Sequence, residues 1–159
     1  MDSGGGYLYE PDHDMATLLK QEQKESRHAE KLDEAYIQVM RKFRKRVEQI
    51  GGYEHMSELW QDLAPIILQT IHLKSPVQRL LTYTSDFHEF CQGFHEDTSS
   101  YKTYFDAMDF AWCCVLDTQT TETEKVRIVN VLSDGQDIAN KLGLHDVYPH
   151  ALEKADDEL

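Results

Sequence analysis

Residues 76–94 decide the fold: Pro76-Val77-Gln78-Arg79-Leu80-Leu81-Thr82-Tyr83-Thr84-Ser85-Asp86-Phe87-His88-Glu89-Phe90-Cys91-Gln92-Gly93-Phe94. Val77, Leu80, Tyr83, Phe87, Phe90 and Phe94 recur at steps of three and four, the signature of a helix with one apolar face. Ser75-Pro76 is a start signal, with Ser as N-cap and Pro at the first helical position. The pattern predicts a helix from Pro76 to about Glu96.

The same period extends in both directions. Upstream, Tyr36, Met40, Phe43, Val47 and Ile50, widened by Val39, form a stripe on a long helix expected from about Asp14 to Ile50. Gly51-Gly52 would end it. Its first part, Leu18 to Ala35, is highly polar and is expected to protrude. Met56, Leu59, Trp60, Leu63, Ile67 and Ile71 make the next face, with Pro65 predicting a kink or a split into two short helices. Downstream, residues 101–117 are apolar nearly all round in their second half, which places that helix at the centre of a bundle. Thr120 or Thr121 caps a further helix with core positions Ile128, Val131, Leu132, Ile138 and Leu142. Gly135 weakens its middle, Gly143 ends it, and Pro149 begins a short terminal helix. No run carries strand alternation. The fold class is therefore all-α: a flexible leader over residues 1–11, then a single domain over 12–159, a bundle of five or six helices with a long N-terminal one.

Charge is unevenly spread. Of the net −13, residues 1–50 contribute −1 (nine Lys/Arg, ten Asp/Glu) and residues 51–159 contribute −12 (seven and nineteen). Such a field repels nucleic acid and anionic membrane and attracts basic proteins. One window opposes it. Arg41, Lys42, Arg44, Lys45 and Arg46 surround Phe43, holding five of the sixteen basic residues. This cluster is suited to phosphate or, in so acidic a chain, to acidic protein surface. The longest apolar run, Phe110 to Leu116, is too short to span a membrane. Cys91, Cys113 and Cys114 are odd in number and two are adjacent, which suggests free thiols and a reducing compartment, cytosolic or nuclear.

Candidate chemistry is sparse. His88, Cys91 and His95 share one helical stripe and are the best metal candidates, with Glu96, Asp97, Asp106 or Asp109 as further ligands. The outer pair lies about 10 Å apart along the helix axis, too far for one ion to take all three, so a metal would take the i, i+4 pair Cys91 and His95 with those further ligands. Glu25 and His28 have the Glu-x-x-His spacing of di-iron bundles, but the only other match, Glu10 and His13, flanks Pro11. The carboxylates Glu22, Glu25, Glu30, Asp33 and Glu34, with Asp106 and Asp109, loosely resemble the paired-carboxylate helices of all-α nucleoside triphosphate pyrophosphatases. That resemblance implies a magnesium-dependent hydrolase. In those families the carboxylates sit on two facing apolar helices, whereas here the first set shares one polar helix with lysines, the pattern of a solvated face. No nucleophile elbow or phosphate loop is present.

The expected function is accordingly non-enzymatic, with no cofactor. An acidic interaction protein would bind a basic protein partner as an inhibitor or regulator, in the manner of a DNA mimic. Asp106, Asp109, Glu122 and Glu124 are candidate contacts on the acidic side, and Arg41 to Arg46 on the basic side. A self-associating assembly subunit and a metal-dependent all-α hydrolase are the alternatives.

Overall fold

The computed structural model describes the backbone of residues 2–48 and 50–157, and the side chains of 14–48 and 50–156. Among the described residues six α-helices follow one another: α1 (Asp2–Arg44), α2 (Met56–Thr70), α3 (Val77–Gln92), α4 (Thr98–Leu116), α5 (Glu122–Lys141) and α6 (Pro149–Asp157). No strand occurs among the described residues. The all-α bundle read from the sequence is the architecture of the protein. α1 packs on α2, α3 lies against α2, α4 and α5, and α6 closes the far side against α4 and α5.

α1 is helical from Asp2 rather than from about Asp14, and the side chains of the first thirteen residues, the expected leader among them, lie outside the described residues. Its buried face is Ala29, Leu32, Tyr36, Val39 and Phe43, again at steps of three and four. The stripe therefore extends toward the N-terminus, not the C-terminus. Val47 and Ile50, expected in the core, are 84 % and 86 % exposed. The reason is local. The α-helix gives way at Arg44 to a 3₁₀ turn over Lys45–Val47, which breaks the helical register. The chain then doubles back so closely that a Cβ at Gly52 would collide with the Lys45 carbonyl.

α2 runs through Pro65 as one element, not as two short helices. Leu63 on one side of the proline and Ile66 and Ile67 on the other are buried together, which holds both halves in the core. Its exposed N–H groups are met from two directions. Glu58 accepts from the backbone of Glu54 (2.9 Å) and His55 (2.8 Å), and Glu96 accepts from Met56 at 2.8 Å.

The helix that decides the fold behaves as its spacing predicts: Val77, Leu80, Tyr83, Phe87 and Phe90 are all buried. It begins at Val77 with Pro76 as cap, one residue later than expected, and ends at Gln92 rather than near Glu96. The Tyr101 hydroxyl lies 2.9 Å from the carbonyls of both Cys91 and Phe94, acceptors that further helical turns would otherwise have used. In α4, Phe105, Met108, Trp112 and Val115 are fully buried. The Trp112 Nε1–H donates to Thr84 Oγ1 at 2.9 Å, and Thr84 donates to the Leu80 carbonyl at 2.6 Å, so these polar groups enter the core satisfied. α4 is not apolar on every side in effect: Phe110 is 65 % exposed, and Cys113 and Cys114 are half-buried.

Thr121 caps α5 reciprocally with Glu124. Thr121 Oγ1 accepts from the Glu124 N–H at 3.1 Å, and the Glu124 carboxylate accepts from the Thr121 N–H at 2.9 Å. The α5 core face is Lys125, Ile128, Leu132, Gly135 and Ala139, with Val131, Ile138 and Leu142 only half-buried. Gly135 is therefore not a weak point in the helix. It lets α5 pass close to His88 and Tyr148, whose side chains a Cβ there would meet at under 3 Å.

Candidate interaction surfaces

The polar centre of the molecule lies between α3, α5 and the segment leading into α6. His88 on α3 is buried and shares a 2.7 Å hydrogen bond with the Tyr148 hydroxyl through Nε2. Phe105 of α4 stacks on the imidazole (5.8 Å, 12°), and the Tyr148 ring meets it edge-on at 5.6 Å. Burial pushes the His88 imidazole down to about 4 and raises the Tyr148 phenol, so both are uncharged at neutral pH. Tyr148 has φ +59°, a left-handed conformation that aromatic residues rarely adopt. Complete burial and the bond to His88 hold it there.

Tyr148 leads into α6, whose N-terminus is capped from another helix. Asp109 of α4 is buried and accepts from the Ala151 N–H and from His150 Nδ1, each at 2.8 Å. A carboxylate at a helix N-terminus meets both the orphan donors and the dipole. Asp109→Ala should cost about 2 kcal/mol, the scale of a lost cap with charged hydrogen bonds. Urea unfolding checks this, and an unchanged midpoint would contradict it.

Above the His88–Tyr148 pair a surface groove runs between α3 and α5. Ser85, His88, Val131, Asp134, Asp137 and Ile138 line it, enclosing about 360 Å³. Asp134 and Asp137 are exposed and sit three residues apart, on one side of α5. No ion pair engages either among the described residues. Val131 and Ile138 supply an aliphatic wall between them. Two free carboxylates beside apolar surface match a Lys or Arg side chain, which lays its stem on hydrocarbon and offers its charge to oxygen.

The other sequence-derived candidates are dispersed. His88 is committed to Tyr148, Cys91 is buried with its thiol pushed up by desolvation, and His95 is exposed. Glu96 serves the start of α2 and Asp109 the start of α6. Among the described residues, no group of three or more His, Cys, Asp or Glu side chains is placed to hold a metal ion. Of the carboxylates on α1, Glu25 accepts from the Lys74 N–H and Asp33 pairs with Arg79 at 3.2 Å. Asp106 pairs with Lys102 at 2.8 Å, Glu122 is exposed in the first turn of α5, and Glu124 belongs to the cap. Asp109 and Glu124 are thus engaged within the fold rather than presented to a partner, while Asp106 and Glu122 remain on the surface.

The basic cluster divides in two. Lys42 lies 3.7 Å from Asp62 and over the Tyr53 ring, and Arg46 lies 3.8 Å above the Phe43 ring. Arg41, Arg44 and Lys45 are exposed, and no carboxylate pairs with them among the described residues.

Compared with family models, curated proteins and solved structures, the chain matches none. Among the described residues no helix is long and apolar enough to cross a membrane.

Proposed function

We propose that this protein acts by binding: the acidic groove between α3 and α5 takes a basic segment of a protein partner, as an inhibitor or regulator would. The observation that carries this reading is the pair Asp134 and Asp137, exposed and without an ion pair among the described residues, beside the half-buried Val131 and Ile138. The excess of −12 over residues 51–159 supports it from a distance by drawing basic surfaces toward that part of the chain. The groove adds what the general field lacks, a defined place for one or two cationic side chains.

Affinity capture from host-cell lysate tests the reading, with retained proteins identified and their binding remeasured after purification. The expected result is a basic protein held by the wild type at low salt and released at high salt, since exposed charge attraction is screened. Asp134→Asn/Asp137→Asn should fail to hold it. Equal retention by that variant, or retention unaffected by salt, would contradict the proposal.

A further inference from the structure

The end of α1 presents a second orphan surface, and it is the chemical complement of the groove. Among the described residues Val47 and Ile50 are the most exposed of the large apolar side chains, at 84 % and 86 %. Single exposed aliphatics are ordinary on protein surfaces, but two beside a cluster of cations form a patch. Arg41 and Arg44 stand three residues apart on α1, and therefore on one side of its end, and Lys45 follows directly in the 3₁₀ turn. The patch is braced from below. Arg46 donates to the Phe43 carbonyl at 2.9 Å while covering the Phe43 ring, and Gly52 packs directly on the Lys45 backbone. Val and Ile are stiff at χ1, so ordering them on contact costs little side-chain entropy.

We propose that the basic segment seated in the α3–α5 groove is this tip from a second copy of the chain. The inference rests on the groove reading above and names its partner. Both components of the match are present: Arg41, Arg44 and Lys45 face Asp134 and Asp137, and Val47 and Ile50 meet Val131 and Ile138. Tip and groove are different patches on one molecule, so copies join tip to groove, either reciprocally in a pair or head-to-tail in chains and rings. Each added copy brings a free tip and a free groove, which makes the association depend on concentration as well as on salt.

Light scattering across a concentration series measures the assembly directly. At low salt the wild type should show a mass above the monomer's 18.5 kDa that climbs with concentration, falling back to that value at high salt. Arg41→Glu/Arg44→Glu/Lys45→Glu should remain monomeric, as should Asp134→Lys/Asp137→Lys, with the helical circular dichroism of both matching the wild type. An equal mixture of the two should associate again, because each then meets a surface of opposite charge. Recovery in the mixture is the decisive result, since a merely misfolded variant would not be rescued. A wild type that stays monomeric at every concentration, or a mixture that stays monomeric, would overturn the proposal. If a monomeric wild type still binds a basic protein through Asp134 and Asp137, self-association alone fails. If that binding is also absent, the groove reading fails with it.

Discussion

Gly135→Ala lowers the stability of this protein by about 3 kcal/mol, the upper range for forcing extra volume into a packed core. The direction runs against helix propensity, by which alanine in place of glycine within a helix gains up to about 1 kcal/mol. Packing decides the sign. A methyl at Gly135 would lie 2.8 Å from the Tyr148 ring and closer still to His88 Nε2. Neither side chain can retreat: both are buried, bonded to one another, and backed by Phe105. Urea unfolding of the variant should show a markedly lower midpoint. A midpoint equal to or above the wild type would mean that α5 does not approach His88 as described.

Acidification provides the second large effect. Burial lowers the His88 imidazole from 6.5 to about 4 in the folded protein. Between those values the unfolded chain binds a proton at this position and the folded chain does not, so stability rises with pH across that window. The contribution is complete above 6.5, declines as the pH falls, and is lost by about pH 4. At 1.36 kcal/mol per unit, the change is about 3 kcal/mol. His88→Gln keeps a group able to bond Tyr148 but cannot titrate. The difference in unfolding free energy between wild type and variant should therefore shrink from pH 7 to pH 4. A constant difference, or an imidazole that titrates near 6.5 by NMR, would contradict the burial of His88.

These two expectations show where sequence reading succeeds and where it stops. Val77 through Phe90 was legible because a five-position apolar repeat leaves only one face for a helix to bury. A threonine cap at 120 or 121 was legible because the residue stands directly before the helix, but Glu124 was read as a partner contact and its return bond to the Thr121 N–H was not. Val47 and Ile50 continued the α1 period on paper, but the backbone leaves helical geometry at Arg44, and periodicity does not register that departure. The fates of His88 and Asp109 depend on Tyr148 and Ala151, 60 and 42 residues away in the chain. Gly135 appeared as a helix weakness because the side chains that require its bareness come from α3 and from the residue before α6. Asp134 and Asp137 were visible as two more acidic residues, but only the facing wall of α3, with Ser85 and His88, turns them into a groove.

The central claim is that the acidic charge acts through that groove rather than as a diffuse field. Amide chemical-shift mapping during titration with a short Lys/Arg-rich peptide at low salt tests it most directly. Saturable shifts should concentrate at Ser85, His88, Val131, Asp134, Asp137 and Ile138 and be abolished in Asp134→Asn/Asp137→Asn. Shifts spread evenly over Glu54, Asp106, Asp117, Glu122 and Glu153, and unchanged in that variant, would contradict it.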